Sequence, residues 1–279
     1  MHFQNPHQTA PTSIKSLCKS ANSHHQLIMQ MIRREVVGRY KGSVFGLAWS
    51  FLNPILMLAM YTFVFSVVFK ARWGSGEGDS KTEFALLVFV GMIVQGLFTE
   101  AVNRAPSLIL SNVNYVKKVV FPLEILPIVS LGAAIFHAAV SLLVLILAFL
   151  MLGHALAWTI ILIPLIFAPL VIFTLGLTWG LASLGVFMRD VSQTIGVLTT
   201  VLMFMSPVFY PISALPLRFQ KIMMLNPLTF IIEQSRSVLI SGALPDWWGL
   251  AIYTLIALVV MWAGYYWFQK TRKGFADVL

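Results

Sequence analysis

Charge and cysteine are both scarce in this chain of 279 residues. Only 10% of the residues are charged, against roughly a quarter in a soluble domain, and 58% are hydrophobic. This balance excludes an ordinary soluble fold, and a mean hydropathy of +0.85 excludes intrinsic disorder. Cys18 is the only cysteine, which excludes an intrachain disulfide and any cysteine-rich metal or redox motif.

Motifs for nucleotide binding and catalysis are also missing. No G-x-x-x-x-G-K-[ST] sequence occurs, so the chain has no Walker A loop to hold the phosphates of ATP. The glycine-rich residues 74–81 follow a long apolar run, and we interpret them as a flexible polar connector. There is no zinc signature, no G-x-S-x-G elbow and no cluster of carboxylates and histidines. We therefore predict no catalytic residue, no metal site and no cofactor in this chain.

Six long apolar runs occupy most of the sequence. Each is near or above the roughly 20 residues that a helix needs to cross ~30 Å of hydrocarbon. We therefore predict an all-α integral membrane protein with six transmembrane helices. The runs are residues 44–69, 84–103, 123–151, 158–187, 194–211 and 247–268. Polar residues and Pro227 interrupt the stretch 212–246, which we interpret as re-entrant or interfacial helices on the outer side rather than a seventh span.

The distribution of Lys and Arg predicts that both termini are cytoplasmic. Nineteen basic residues stand against ten acidic ones, and cytoplasmic loops carry the positive excess of a membrane protein. In a six-span arrangement, the basic N-terminal arm, the basic tail and the loops near Arg104 and Arg189 share one side. The other side holds Lys70, Arg72, Lys81, Arg218, Lys221 and Arg236. Since the membrane explains the surplus charge, we predict no nucleic acid partner.

Residues 23–41 have the pattern of an amphipathic interface helix. Apolar residues at helical spacing form one face, and basic residues lie largely on the other. Ser23 followed by Gln26 matches a capping box, which predicts the start of the helix. Such a helix lies on the membrane surface. Its basic face either anchors the chain to anionic lipid or collects a phosphate-bearing headgroup through Arg33, Arg34, Arg39 and Lys41.

Aromatic residues are concentrated in the first and fifth apolar runs. The first run places three of them four residues apart, on one helix face, and contains an Asn-Pro step that predicts a bend. Two prolines break the fifth run beside a second aromatic group. These side chains either pack helices together or line a passage in which sugar rings stack on them. The residues are Tyr61, Phe65 and Phe69 with Asn53 and Pro54, and Phe204, Phe209 and Tyr210 with Pro207 and Pro211.

Two predicted inner loops are candidates for contact with a partner. The loop 104–121 is long enough for a short helix that starts near Pro106 or Ser107. Its apolar residues predict that lipid or a cytosolic protein covers it. The second loop contains Arg189 and Asp190, and we interpret it as an ion-paired turn.

Ionisable residues at membrane depth are costly and often mark ion pathways. Glu100 and Glu124 lie at the ends of predicted spans, where water reaches them. His137 is the one such residue deep inside a run. Because a proton relay needs partners at the same depth and the sequence offers few, we predict a structural role for His137.

Five segments, taken in order, resemble one known family. They are REVVGRYKGSVFGLAWSFLNPILMLAMYTFVF, VNYVKKVVFPLEILP, SPVFYP, LNPLTFIIEQSR and the terminal KGFADVL. Over nearly all of residues 25–279 the chain resembles the membrane subunit of ABC-2 type polysaccharide exporters. It is most similar to the Wzm-type O-antigen permeases, with KpsM-type capsule exporters and teichoic acid exporters as relatives.

The resemblance implies a homodimer of six-helix subunits in the bacterial inner membrane. It implies two copies of a separate cytosolic ABC ATPase, which would carry the ATP and Mg²⁺. The implied substrate is a long glycan on undecaprenyl pyrophosphate. The implied division of the chain is a polar N-terminal arm (1–22), an interface helix (23–41), an ABC-2 type transmembrane domain (44–268) and a cytoplasmic tail (269–279).

The family's functional regions map onto named residues here. The pyrophosphate headgroup would enter near Arg33, Arg34, Arg39 and Lys41. The channel would be lined by Trp49, Phe51, Tyr61, Phe65, Phe204, Phe209 and Tyr210. The ATPase would couple through Arg104, Ser107, Leu108, Val113, Tyr115, Lys117, Arg189 and Asp190. Asn226 and Pro227 would lie in outer re-entrant helices.

Other functions stay open from the residues alone. A chain without a nucleotide site takes directional work from a partner or from an ion gradient, and sparse buried charge favours a partner. The alternatives are an ion-coupled secondary exporter and an ABC-2 permease for capsule, teichoic acid, drugs or lipids. A membrane-embedded glycosyl or phosphosugar transferase should show a carboxylate cluster, which the sequence lacks.

Overall fold

The computed structural model describes residues 13–68, 81–117, 121–153 and 156–279. All regular secondary structure within these ranges is helical. Several residues of the sequence predictions lie outside the described residues: 1–12 of the N-terminal arm, Phe69, Lys70, Arg72, most of the glycine-rich connector and Lys118.

Twelve α-helices follow one another along the described ranges. They are α1 (Ile14–Ser23), α2 (His25–Tyr40), α3 (Trp49–Tyr61), α4 (Lys81–Arg104), α5 (Val113–Lys117), α6 (Ile125–Met151), α7 (Ile163–Phe187), α8 (Val191–Phe204), α9 (Leu217–Met223), α10 (Pro227–Leu239), α11 (Trp247–Thr271) and α12 (Phe275–Val278). A 3₁₀ turn, Gly46–Ala48, precedes α3, and a π-helical turn, Thr62–Val68, extends it.

Five helical segments of the described chain are long and apolar enough to cross a membrane. They are Gly46–Phe65, Glu83–Ser107, Ile125–Met151, Trp158–Phe187 and Trp247–Val278. These segments coincide with five of the six predicted runs and confirm a multi-pass membrane protein. The remaining run, 194–211, forms only the 14-residue α8, about 21 Å long and short of the ~30 Å hydrocarbon core. The sixth span, the re-entrant helices and the side of the termini stay predictions.

The break after α8 leaves carbonyl groups that need donors. Pro207 has no N–H to continue the helix, and an unpaired carbonyl in an apolar surrounding costs several kcal/mol. Asn226, the N-cap of α10, donates its amide to Ser206 Oγ at 2.8 Å and to the Met205 carbonyl at 3.2 Å. Its Oδ1 accepts the backbone N–H of Leu228 at 3.0 Å. One side chain therefore caps α10 and satisfies the end of α8.

Arg236 satisfies the other side of the same break. The charge pattern counts it among outer-side charges, but its side chain in α10 is only 5% exposed. Its guanidinium donates to the carbonyls of Leu87 at 3.0 Å, Pro207 at 2.5 Å and Val208 at 2.9 Å. Glu233 provides a carboxylate oxygen at 3.0 Å. Arg236 thus joins α4, α10 and the proline-broken segment.

Small residues allow α7 and α11 to pack with their backbones in contact. A Cβ added at Gly176 of α7 would meet the backbone of Met261 at 2.6 Å. A Cβ added at Gly264 of α11 would meet the carbonyl of Gly176. This close approach is typical of helix pairs in membranes, where small residues replace the hydrophobic driving force.

The interface helix predicted over residues 23–41 is α2. Its Ile28, Met31 and Val36 are buried, and α6 packs against it so tightly that a Cβ at Gly132 would overlap Ile32. Protein therefore covers much of the apolar face that we assigned to the membrane surface. The predicted capping box is wrong, because Ser23 ends α1 and the N-cap His24 makes no side-chain capping bond.

Glu124 was expected at the end of a span, in contact with water, but its side chain is buried among protein contacts. It is 8% exposed, accepts from Ser20 Oγ at 3.0 Å and pairs with Arg272 at 2.8 Å. Its carbonyl accepts the Trp179 indole N–H at 3.0 Å. The N-terminal arm and the tail are therefore both attached to the start of α6.

We expect Arg236→Met to destabilise the protein by several kcal/mol, since each buried carbonyl that loses its donor costs roughly 1–3 kcal/mol. Arg236→Lys should destabilise it as well, because one ammonium group lacks the planar fork of the guanidinium. The matched control is Arg218→Met, on the exposed surface of α9. The melting temperature of the purified protein in detergent measures the effect. Equal melting of the Arg236 and Arg218 variants would contradict this role.

Candidate functional site

The structure brings the two predicted aromatic groups together. Phe65, in the π-helical turn after α3, stacks on Phe209 with centroids 6.0 Å apart and planes at 25°. Phe209 contacts Phe204 at 6.2 Å, and Tyr61 contacts Phe65 at 6.4 Å. The Tyr210 hydroxyl donates to the carbonyl of Phe204 at 2.8 Å, which holds the broken segment against the end of α8.

The other two residues of the predicted channel lie apart from this group. Trp49 makes an edge contact with Phe45 at 5.7 Å, and Phe51 is exposed. Contacts between the described residues therefore join five of the seven predicted lining residues and leave these two separate.

The predicted headgroup residues divide into two kinds. Arg33, Arg34 and Lys41 are exposed on and after α2, and Arg34 donates to the Tyr115 hydroxyl at 3.1 Å. Arg39 is already paired, with its guanidinium 2.6 Å from a carboxylate oxygen of Glu100 in α4. The exposed Arg33, Arg34 and Lys41 can therefore bind an anionic ligand, whereas the charge of Arg39 is already paired with Glu100.

The predicted coupling loop is partly an interior element. Leu108 and Ile109 are buried, at 7% and 0% exposure, in a core that also contains Trp179 and Phe268. The chain itself, rather than lipid or a partner, therefore covers these two apolar residues. The exposed side chains of the loop include Ser107 and Lys117, with Val113 and Tyr115 half-buried.

One ion pair joins the coupling loop to α2, and one ring contact lies within the loop. Arg104 pairs with Glu35 of α2, and Tyr115 stacks on Phe121 at 4.3 Å. Arg189 and Asp190 lie in an exposed turn. No ion pair joins those two residues, so the predicted ion-paired turn is wrong.

A polar cluster that the sequence did not reveal lies between α2, α4 and α6. His137 Nδ1 lies 2.8 Å from Glu100 Oε1, and the Tyr40 hydroxyl lies 3.4 Å from His137 Nε2. Burial raises the pKa of the Tyr40 phenol, against the opposing charge of Arg39, so the phenol keeps its proton. Because a carboxylate oxygen accepts hydrogen bonds, the ring proton of His137 is assigned to Nδ1, which faces Glu100.

This cluster corrects the expectation about His137. We expected few partners for His137, yet Glu100 contacts it directly and Arg39 lies 3.2 Å away. The available signal was an acidic residue within an apolar run, since a charge at that depth needs a partner. The sequence could not identify the partner, because the contact joins residues from separate helices.

A cavity of about 280 Å³ opens beside the cluster. Its lining comes from α2, α3, α4 and α6 and mixes polar with apolar side chains. Asn53 and Pro54, the predicted bend of the first span, both line it. The Asn-Pro step therefore lies inside α3 and contributes to the wall of this cavity.

The chain is similar in sequence to one protein family and to several known proteins. Residues 26–240 match the family described as ABC-2 type transporter. The chain is 27% identical over 263 residues to the O-antigen export system permease protein RfbA of Myxococcus xanthus, covering 94% of this chain and 98% of that protein. It is 25% identical over 255 residues to a protein of the same name from Klebsiella pneumoniae, covering 91% of this chain and 95% of the relative.

We expect the Arg39–Glu100 pair to show strong coupling in a double-mutant cycle. Arg39→Gln and Glu100→Gln each leave a charge without its partner, so the double variant should lose less stability than the sum. The expected coupling is about 1–2 kcal/mol, measured as free energies of unfolding in detergent. Losses that add to within about 0.3 kcal/mol would show that the two charges do not interact.

Proposed function

The chain belongs to the ABC-2 type transporter family, and from this premise we propose that it is the transmembrane subunit of an ATP-driven polysaccharide exporter. Its cargo is an O-antigen-like glycan linked to undecaprenyl pyrophosphate, moved across the bacterial inner membrane. The observation that carries this proposal is a match over more than nine-tenths of the chain to relatives named O-antigen export permeases.

The proposed assembly separates the path from the energy source. The subunit forms a homodimer with both termini cytoplasmic, and two copies of a cytosolic ABC ATPase bind and hydrolyse ATP with Mg²⁺. The missing Walker A motif supports this division, because without a nucleotide site the work comes from elsewhere. The short α8 and the helices α9 and α10 form the sixth crossing and its outer re-entrant part.

The aromatic group formed by Tyr61, Phe65, Phe204 and Phe209 is the proposed wall of the path. A glycan cannot cross hydrocarbon unaided, because each uncompensated polar group costs several kcal/mol. Aromatic rings offer sugar C–H faces an apolar surface while the hydroxyl groups stay hydrated. The stacking of Phe65 on Phe209 at 6.0 Å supports this role, since it unites the α3 and α8 ends of the path.

Two further roles follow from exposed residues. The exposed basic side chains on and after α2, Arg33, Arg34 and Lys41, receive the pyrophosphate headgroup, since guanidinium groups bind phosphate oxygens in pairs. The exposed side chains of the loop 104–117 and of the Arg189–Asp190 turn meet the ATPase. Two contacts, Arg34 to Tyr115 and Arg104 to Glu35, support a joint movement of these regions.

One observation favours a second candidate, an ion-coupled exporter. Glu100 and His137 share a hydrogen bond inside the helical bundle, and paired ionisable groups at such positions occur in proton pathways. This candidate needs no ATPase, and it predicts export that stops when the proton gradient is dissipated while ATP is maintained.

The proposed function is tested by deleting the gene for this chain and restoring it on a plasmid. We expect deletion to remove O-antigen from the cell surface and to leave lipid-linked glycan inside, and the wild-type plasmid to reverse both. The control is the same deletion in a strain whose chromosomal ATPase gene carries a substituted Walker lysine, where the plasmid should not restore export. Normal surface O-antigen after deletion contradicts the proposal, and loss of a capsule or teichoic acid alone points to those cargoes.

We expect Arg33→Ala combined with Arg34→Ala to trap lipid-linked glycan on the cytosolic leaflet, because the headgroup loses its charged partners. The control, Arg218→Ala with Lys221→Ala, also removes two exposed basic side chains but on α9. Surface glycan is compared by gel and by antibody at matched expression. Unchanged surface glycan in the first variant refutes the headgroup role.

We expect Lys117→Glu to reduce copurification of the ATPase severalfold, because the substitution reverses an exposed charge on the coupling loop. Lys221→Glu makes the same reversal at an exposed position of α9 and should leave copurification unchanged. The readout is the ATPase recovered per tagged membrane subunit. Equal recovery with both variants counts against docking at this loop.

A further inference from the structure

The cavity beside the Glu100 cluster has the chemistry of a small-molecule site. Its volume of about 280 Å³ lies near the lower end of the roughly 300–1,000 Å³ typical of ligand pockets. Side chains from four helices line it. The polar ones are Arg39, Tyr40, Ser50, Asn53, Glu100, His137 and Ser141, and the apolar ones include Met57, Tyr61 and Phe89.

The charges of the cavity cancel within the protein. Arg39 and Glu100 form an ion pair at 2.6 Å, and His137 Nδ1 lies 2.8 Å from the same carboxylate. A phosphate or another anion would have to displace Glu100 from Arg39 and then lie beside its carboxylate. The cavity therefore disfavours an anionic ligand.

The cavity also disfavours a purely apolar ligand. A hydrocarbon chain would bury polar side chains without giving them hydrogen bonds, at roughly 1–3 kcal/mol for each group. The amide of Asn53 has no hydrogen-bond partner among the described residues. Ser50 and Ser141 already donate to backbone carbonyls within their own helices, at 2.7 and 2.9 Å, and their oxygens still accept.

A neutral ligand with several hydroxyl groups suits both the polar and the apolar side chains of the cavity. Its hydroxyl groups both donate and accept, which matches the amide, the carboxylate and the serine oxygens together. Its C–H faces pack on Tyr61, Phe89 and Met57. We infer that this cavity binds one sugar ring of the exported glycan, at a subsite that shares Tyr61 with the aromatic wall and does not include the exposed Arg33, Arg34 and Lys41. This inference rests on the proposed function, which supplies the glycan.

The test uses the full chain in lipid nanodiscs and a panel of methyl glycosides. The panel contains the glycosides of glucose, galactose, mannose, rhamnose and N-acetylglucosamine, and binding is followed by saturation-transfer NMR. Met57→Trp fills the cavity without removing a hydrogen bond. Its matched control is Met60→Trp, one turn along α3, where the side chain is 46% exposed against 49% for Met57 but does not line the cavity.

We expect the wild type and Met60→Trp to bind at least one glycoside equally and Met57→Trp to bind none. Asn53→Leu, which keeps the shape of the side chain, should weaken binding about tenfold through the lost hydrogen bonds. Binding of no glycoside by the wild type, or equal binding by Met57→Trp, overturns the inference.

Surface glycan in the complemented deletion strain separates this inference from the proposed function. If the wild-type plasmid restores surface glycan but no glycoside binds, only the subsite is wrong. If the plasmid never restores surface glycan, the export proposal fails whatever the glycosides do.

Discussion

Backbone carbonyls in an apolar surrounding need donors from the protein itself, and the break after α8 depends on Asn226 and Arg236 for them. Asn226 donates to the Met205 carbonyl and to Ser206 Oγ, and Arg236 donates to the carbonyls of Pro207 and Val208. Without these donors, α8 would have to continue as a helix or leave the apolar region. The aromatic contact across the proposed path follows from this arrangement, because Phe209 belongs to the segment that the two side chains hold.

Two ion pairs and one hydrogen bond join α2 to its neighbouring segments. Glu35 pairs with Arg104 at the end of α4, Arg34 donates to Tyr115 in the coupling loop, and Arg39 pairs with Glu100. A displacement of the coupling loop therefore acts on α2 directly, through contacts that need no intervening helix. This connection supports the proposed link between ATP hydrolysis by a partner and movement at the headgroup-binding face.

The sequence was informative wherever a property was local. Long apolar runs predicted six membrane helices, since the length of a run is set by adjacent residues, and five of the six are long enough to cross in the described chain. Paired prolines predicted the end of α8. Contacts between distant residues were not predictable in this way. From the sequence, Arg236 was assigned to the outer surface as a charged residue. Only its contacts with the carbonyls of Leu87 and Pro207 show that it is a buried donor. The same reason hid the Glu100–His137 pair and the burial of Ile109. The helix α1, which ends at Ser23, is a local feature that the prediction missed.

The central claim is that this polypeptide is a glycan path driven by a nucleotide-hydrolysing partner. The most direct measurement reconstitutes the purified subunit in vesicles with lipid-linked glycan on the outer leaflet, with or without the ATPase, and follows protection of the glycan from added glycosidase. We expect protection only when the ATPase and hydrolysable ATP are both present on the side of the substrate. Protection driven by a pH difference in vesicles that contain this subunit alone would contradict the claim.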